Sequence, residues 1–143
     1  MKPAPPPTVE DQANYWDQWD AQSRELSVFG SSARQGKLVE QEVAALGRDD
    51  LRILDVGCGT GWTCERLVRF GKVAGTDMTP SVLERARSRA PEVSFVCGDF
   101  FEIDFPDTAF DVVVSLEVLS HVADQPAFMD RLASLLKPGG LLH

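Results

Sequence analysis

Three glycines at alternate positions, Gly57, Gly59 and Gly61, follow a short apolar segment and precede a helical pattern. The apolar segment, residues 52–56 (RILDV), is typical of a buried parallel strand. Glycine permits a sharp turn and leaves the main chain bare where a ligand lies against it. The helix that follows directs unpaired N–H groups toward the same place. This order of elements predicts a nucleotide-type binding site.

Two details separate the possible nucleotides. The dinucleotide fingerprint is G-x-G-x-x-G, and its pyrophosphate lies at the N-terminus of the helix. Here the spacing is G-x-G-x-G, and Asp55 stands two residues before the first glycine. A carboxylate that faces the site would repel a pyrophosphate and would suit a ligand with an ammonium or sulfonium group. A nicotinamide-dependent oxidoreductase is therefore the less favoured alternative.

The segment resembles the first motif of class I S-adenosylmethionine-dependent methyltransferases, whose pattern is close to acidic-x-G-x-G-x-G. The resemblance covers residues 51–142, with four motifs in the family's order and spacing. It implies that S-adenosylmethionine is the cofactor. It also implies that this first motif contributes the cofactor-binding residues Asp55, Gly57, Cys58, Gly59 and Gly61.

Acidic residues follow the next two predicted strands. Asp77 lies 22 residues after Asp55, and its carboxylate can accept hydrogen bonds from both hydroxyls of a ribose. Residues 97–100 (CGDF) resemble the family's adenine segment. This implies that Asp99 accepts from the exocyclic amine and that Phe100 supplies backbone and apolar cover. Met78 either lies on the adenine face or fills the core.

The fourth predicted strand, residues 110–115, leads into the loop where the chemistry is expected. Asp111 is expected to have a structural role at the start of this strand. The resemblance implies that backbone groups near Ser115 and Leu116 contact the methionine part of the cofactor. His121 is a candidate catalytic base, because histidine is the residue type that most often transfers protons at such sites; the alternative is a hydrogen-bonded packing residue.

Strands that alternate with helices predict an α/β fold with a Rossmann-like, doubly wound, mostly parallel sheet and helices on both faces. Residues 79–90 are predicted to form a helix with Thr79 as its N-cap and Pro80 at its first position. Residues 137–140 (KPGG) are expected to separate the last helix from a fifth strand that begins at Leu141. Because the family continues with another helix and two more strands, the fold is expected to be incomplete after strand five, as in a fragment or truncated product. An open strand edge would then allow self-association.

The N-terminal part of the chain predicts a tail and a lid. Four prolines, at positions 3, 5, 6 and 7, indicate a disordered tail over residues 1–12, followed by the methyltransferase domain over residues 13–143. Tyr15, Trp16 and Trp19 fit one face of a short helix. They either cover the cofactor as a lid or dock this helix on the domain.

The net charge, the length of the apolar runs and the number of cysteines restrict the possible partners and location of the protein. The net charge of −8 argues against a nucleic-acid partner, and Arg85, Arg87 and Arg89 are expected to form a solvated helix face. No apolar run reaches the roughly 18 residues of a membrane span. Three cysteines without zinc-type or C-x-x-C spacing predict a reduced, cytoplasmic protein without a metal site.

These observations combine into one functional hypothesis, which is methyl transfer from S-adenosylmethionine to a small-molecule acceptor. An oxygen, nitrogen or carbon nucleophile would attack in line with the methyl–sulfur bond. The alternative is a non-catalytic or partner-dependent fragment that binds S-adenosylmethionine.

Overall fold

Five parallel strands form one sheet in the order β3-β2-β1-β4-β5. The computed structural model describes residues 5, 7–23 and 31–143, with the backbone alone at 19–23 and 31–32. The strands are β1 (Leu51–Val56), β2 (Gly71–Asp77), β3 (Ser94–Cys97), β4 (Phe110–Val114) and β5 (Leu136–Leu142). The helices are α1 (Val9–Ser23), α2 (Ser31–Ala45), α3 (Trp62–Leu67), α4 (Pro80–Arg89) and α5 (Gln125–Leu135), with 3₁₀ turns at Val68–Phe70 and Leu119–His121.

The order in which the strands are added to the sheet reverses at β1. It passes from β1 to β2 and then β3 on one side, and β4 and β5 follow on the other side of β1. β1 pairs with both β2 and β4 in parallel. Ligands of such sheets bind at the carboxyl ends of the strands at this switch point. The predicted doubly wound parallel sheet is confirmed.

The side chains of β1 alternate between two cores, one on each face of the sheet. Leu51 and Ile53 are buried with side chains of α2, α3 and α4. Leu54 and Val56 are buried with side chains of α5. Because both faces are covered by helices, four of the six residues of the strand are apolar and buried, as is typical of central parallel strands.

The first helix begins earlier than predicted. α1 starts at Val9, so residues 9–12, which the proline pattern assigned to the tail, are helical. Thr8 and Asp11 form a capping pair in which the Thr8 N–H donates to Asp11 Oδ2 (2.9 Å) and the Asp11 N–H donates to Thr8 Oγ1 (3.1 Å). Residues 1–4 and 6 and the side chain of Trp19 lie outside the described residues.

The last strand also begins earlier than predicted. β5 spans Leu136–Leu142 and includes the residues 137–140 that were expected to separate helix from strand. Its pairing with β4 shifts register between Phe110 and Val112, and Gly139 takes a φ of +76° within this irregularity. A bulge of this kind accommodates proline and glycine at the edge of a sheet. None of the helices in the described part of the chain is both long and apolar enough to cross a membrane.

Asp111 joins three neighbouring segments at the start of β4. Its carboxylate accepts from the Arg52 N–H (2.8 Å), from Arg48 Nη1 (3.1 Å) and from Lys137 Nζ (3.1 Å). Burial opposes ionisation, but these three donors outweigh it and hold the pKa of Asp111 below its usual range. The predicted structural role is thereby confirmed.

Replacing Asp111 with alanine is expected to lower the free energy of unfolding by about 2 kcal/mol, because the Arg52 N–H and two side-chain cations lose their acceptor. Urea unfolding followed by circular dichroism measures this change. Asp107→Ala is the control, because the Asp107 side chain is 76% exposed and lies 4.0 Å from Arg131. Equal stability of the two variants would contradict the prediction.

Candidate functional site

A cavity of about 830 Å³ opens at the carboxyl ends of the strands. Its walls come from α1, the loop between β1 and α3, the residues after β2 and β3, and the loop after β4. The predicted site residues that line it are Asp55, Gly57, Cys58, Gly59, Asp77, Met78, Asp99, Phe100, Leu116 and His121. Gly61 and Ser115 do not line it. The topology therefore brings most of the predicted residues together at one place.

The loop of residues 57–61, called the glycine loop below, is bound to the end of β2. The N–H groups of Gly57 (2.8 Å) and Cys58 (3.0 Å) both donate to the Thr76 carbonyl oxygen. Gly57 has a φ of +73°, and a Cβ there would lie 2.3 Å from Val118 Cγ2. Gly59 has a φ of +53° and faces open space. The bare main chain at these two positions keeps the cavity open next to the loop.

Gly61 has a packing role. It is the N-cap of α3 with a φ of +80°, and a Cβ there would lie 3.2 Å from both Ala86 Cβ and Phe95 Cζ. The absence of a side chain lets the glycine loop approach α4 and β3 closely. The motif thus contains glycines with two different functions, which the spacing alone did not distinguish.

Asp77 joins the glycine loop to the start of α4. Its Oδ2 accepts from the Gly59 N–H (3.1 Å), and its Oδ1 accepts from the Thr79 N–H (3.0 Å). Thr79 occupies the predicted N-cap position, but its side chain makes no cap hydrogen bond. Burial raises the pKa of Asp77, and the two N–H donors oppose this rise. The carboxylate that was predicted to bind ribose therefore also fixes the loop beside it.

Asp55 is almost fully buried, although it lines the cavity. Its carboxyl group accepts from Cys64 Sγ at 3.4 Å, and its residue is 2% exposed. Burial raises the pKa of Asp55 to about 7; the Cys64 hydrogen bond opposes this and the negative charge of Asp77 adds to it. The cavity wall therefore holds a carboxyl group that titrates near neutral pH.

The titration of Asp55 predicts a pH-dependent stability. Its pKa rises from an ordinary value of 3.8 to about 7 on folding, so the folded chain holds the proton more tightly. The stabilising contribution is fully present below about pH 4 and is lost as the pH rises through about 7. Wild type is expected to lose on the order of 3 kcal/mol over this range relative to Asp55→Asn, whose side chain does not titrate. Urea unfolding of both proteins across this pH range measures the difference, and parallel curves would contradict it.

The segment after β3 contains two adjacent aromatic residues, of which Phe100 is buried and Phe101 is exposed. Asp99 Oδ1 accepts from the Phe101 N–H at 3.0 Å. Phe100 is buried, with its ring centroid 5.3 Å from that of Phe128 on α5. Phe101 is 46% exposed and lines the cavity. Of these two aromatic residues, the sequence assigned apolar cover only to Phe100. Phe101 was missed because a pair of adjacent aromatic residues does not show which ring packs in the core and which is exposed in the cavity.

Ser115 forms hydrogen bonds to the ends of β1 and β5 and does not line the cavity. Its Oγ donates to the Val56 carbonyl oxygen at 3.1 Å, and its N–H donates to the His143 carbonyl oxygen at 2.9 Å. Leu116, the next residue, does line the cavity. The predicted contact near this point is therefore available to Leu116, while Ser115 holds β4 against β1.

His121 and Trp16 are in contact in the wall of the cavity. Their ring centroids are 4.7 Å apart and their planes cross at 84°, an edge-to-face contact between the turn after β4 and α1. Tyr15 lies edge-on to Trp16 at 5.2 Å. Both α1 aromatic residues line the cavity, so α1 is placed to cover it.

Arg89 was missed as a supporting residue. Its Nη1 donates to both the carbonyl oxygen and Oγ1 of Thr60 at 3.3 Å, and its guanidinium lies 3.6 Å from the ring centroid of Trp62. The expected solvated face at positions 85, 87 and 89 is thus wrong for Arg89. The sequence offers no signal for this contact, because Arg89 and Thr60 are 29 residues apart.

Carboxylates dominate the electrostatics of the cavity. Its described lining includes Asp55, Asp77, Asp99, Glu117 and Asp124, and Arg66 is the one lysine or arginine among these lining residues. Arg66 is ion-paired to Glu40 on α2 at 2.9 Å. Such a cavity favours a ligand with positive charge. Within the described ranges, no group of three or more His, Cys, Asp or Glu side chains is arranged to hold a metal ion.

The comparisons with known proteins show the family of the chain. The chain matches the methyltransferase-domain family over residues 54–143, more than half of its length, and therefore belongs to that family. The resemblance to class I S-adenosylmethionine-dependent methyltransferases is confirmed. The family match gives no support to the nicotinamide-dependent oxidoreductase alternative.

Two relatives and one solved structure illustrate which methyltransferases the chain is similar to. A ubiquinone biosynthesis O-methyltransferase of Bradyrhizobium sp. (strain ORS 278) is 41% identical over 97 residues, covering 64% of this chain and 38% of the relative. One from Chelativorans sp. (strain BNC1) is 33% identical over 143 residues, covering 91% and 56%. The crystal structure of an S-adenosylmethionine-dependent methyltransferase from Mesorhizobium loti has a TM-score of 0.60 at 30% identity, covering 70% of this chain and 48% of that one. The chain therefore spans about 40–60% of the length of these curated relatives.

Proposed function

We propose that the protein binds S-adenosylmethionine in this cavity and transfers its methyl group to a small-molecule acceptor. The observation that carries the proposal is the convergence of the bare glycine loop with the carboxylates of Asp77 and Asp99. Bare main chain suits a ligand that lies against the loop, and carboxylates suit ribose hydroxyls and an exocyclic amine. The two relatives are O-methyltransferases by name, which favours a hydroxyl acceptor.

The residues present fit this cofactor. A Cβ at Gly59 would enter open space, so the loop leaves room for a ligand there. The hydroxyl of Thr76 is buried in the cavity wall and has no hydrogen-bond partner within the described residues. A polar ligand would supply such a partner. When it is bound, the cofactor supplies a methyl group that its sulfonium has already activated.

The chain's own residues would position the acceptor, exclude water and accept one proton. Tyr15 and Trp16 line the side of the cavity formed by α1, where they limit contact with water. His121, in contact with Trp16, is the proposed base. It would accept the proton that a hydroxyl acceptor loses when it is methylated.

Calorimetric titration of the folded chain with S-adenosylmethionine and, separately, with NADH tests the binding step. We expect heat of binding with S-adenosylmethionine and none with NADH. Circular dichroism establishes that the chain is folded before the titration. Absence of binding by the folded chain would overturn the proposal.

A fragment that binds the cofactor but acts only with a partner is the second candidate. The observation that favours it is the share of the relatives' length that the chain spans, 38% and 56%. Cofactor binding without transfer to any hydroxyl, amine or carbon acceptor would support it.

The sequence analysis predicted self-association at the open edge beside strand five, and β3, at the opposite edge, is proposed as a second surface for it. β3 is an edge strand of the sheet, and Ser94, Val96 and Cys97 are exposed along it. Size-exclusion chromatography with Val96→Lys as the test variant would detect it, since a charge on an edge strand opposes pairing. The cytoplasmic location stays a prediction from the three free cysteines.

A further inference from the structure

Arg89, the last residue of α4, contacts two residues of the cavity wall from outside the cavity. Its Nη1 donates to the carbonyl oxygen and to Oγ1 of Thr60, and its guanidinium carbon lies 3.6 Å from the ring centroid of Trp62. Thr60 and Trp62 line the cavity, and Arg89 does not. We propose that Arg89 is a positioning residue that holds the glycine loop in the conformation that binds the cofactor. This inference rests on the proposed function.

The glycine loop needs such support because its backbone is unusually free. Gly57, Gly59 and Gly61 have φ angles of +73°, +53° and +80°. Glycine has the widest choice of backbone conformations, so a loop with three glycines loses much conformational entropy when it is held in one state. A ligand that has to order the loop binds less tightly by this cost, and contacts that order it beforehand raise the affinity.

The two halves of the loop are held by different elements. The first half is bound to the end of β2, through the Gly57 N–H on the Thr76 carbonyl oxygen (2.8 Å) and the Gly59 N–H on Asp77 Oδ2 (3.1 Å). The second half is held from α4, where Arg89 donates to Thr60 at 3.3 Å. Removal of the guanidinium group would therefore release the second half and leave the bonds to β2 in place.

The guanidinium group suits this position better than an ammonium group does. It is planar, so it can stack on the Trp62 ring while its N–H groups donate to Thr60. The Arg89 side chain is 20% exposed, and Glu65 Oε2 lies 3.9 Å from its Nε. A lysine would keep the positive charge, but its compact ammonium group cannot stack flat on the ring and donate to both oxygens of Thr60.

Calorimetric titration of the full chain with S-adenosylhomocysteine tests the effect on binding. We expect Arg89→Ala to weaken binding at least about tenfold and Arg89→Lys at least about threefold. Arg87→Ala is the matched control, because Arg87 is exposed on the same helix and donates to the Phe95 carbonyl oxygen at 3.3 Å. Its affinity should stay within about twofold of wild type.

Hydrogen exchange of the ligand-free chains, followed by mass spectrometry, separates positioning of the loop from stability of the fold. We expect residues 57–62 to exchange at least about threefold faster in both Arg89 variants, because local opening of a loop does not require opening of the sheet. Exchange of β1 and β2 should stay as in wild type. Arg87→Ala should leave the exchange of the loop unchanged.

Four results would overturn the inference while the proposed function stands. These are wild-type affinity in a folded Arg89→Ala chain, an equal loss in Arg87→Ala, unchanged exchange of the loop, and faster exchange of the whole sheet, which would indicate a role in stability alone. If Arg89→Ala does not fold, Arg89→Lys decides by the same criteria. Failure of wild type to bind S-adenosylhomocysteine would overturn both proposals, so the wild-type titration distinguishes the two kinds of failure.

Discussion

Replacing Gly57 with alanine is expected to weaken binding of S-adenosylhomocysteine by at least about 30-fold. The new Cβ would lie 2.3 Å from Val118 Cγ2, far inside van der Waals contact. Gly57 belongs to the loop after β1 and Val118 to the loop after β4, so the clash separates two walls of the cavity. Either loop can move only by displacing groups that line the site. Calorimetric titration of wild type and variant measures the loss.

The same contact provides a rescue variant. Without the two γ-carbons of Val118, the nearest atom to the new Cβ is Val118 Cβ at 3.5 Å, an ordinary contact. Gly57→Ala combined with Val118→Ala should therefore recover most of the lost affinity. The strain of the positive φ, about 1 kcal/mol, remains. Gly47→Ala isolates that strain, because Gly47 has a φ of +64° with no atom within 4 Å of its Cβ. A double variant as weak as Gly57→Ala would show that the clash is not the cause.

The sequence predicted the parts of the site that depend on local order. A strand, a glycine loop and a helix are adjacent in the chain, so their spacing alone indicates their arrangement. Asp77 and Asp99 each follow a predicted strand, and parallel strands bring their carboxyl ends to one edge. Because both inferences use only order and direction, they required no knowledge of side-chain packing.

The remaining contacts depend on packing that spacing does not encode. Arg89 reaches Thr60 from α4, and Trp16 meets His121 from a helix more than a hundred residues earlier in the chain. The edge-to-face pair joins elements whose relative position the β–α alternation does not fix. Ser115 was expected near the cofactor, yet its hydroxyl is used between β4 and β1. Long-range geometry decides each of these positions.

The start of α4 differs from the sequence prediction in its side-chain hydrogen bonds. Thr79 has the residue type and position of an N-cap, yet its hydroxyl makes no cap bond. Asp77 Oδ1 accepts a hydrogen bond from the Thr79 N–H at 3.0 Å, and Oδ2 accepts one from the Gly59 N–H. Asp77, which is predicted to bind ribose, is therefore also a structural residue that joins the glycine loop to the start of α4.

Replacing Asp77 with asparagine is expected to weaken binding of S-adenosylhomocysteine by about 100-fold or more. Both carboxylate oxygens already accept a backbone N–H, and each retains a lone pair for a ribose hydroxyl. An asparagine amide presents one oxygen and one NH₂ group, so one of the two backbone donors faces a donor. The charge-assisted bonds to ribose are also lost, at about 1.5–3 kcal/mol each. Calorimetric titration measures the change.

The stability of the ligand-free Asp77→Asn chain should change much less than its affinity. Burial raises the pKa of Asp77, which means that ionising this carboxyl group is unfavourable in the folded chain. Removal of the charge offsets part of the lost hydrogen bond, so the variant should unfold within about 1 kcal/mol of wild type. Asp50→Asn is the matched control, since the Asp50 side chain is 71% exposed and lies outside the cavity lining. Wild-type affinity in a folded Asp77→Asn chain would show that this carboxylate does not bind the ligand, and it would remove the central support for a ribose at this edge of the sheet.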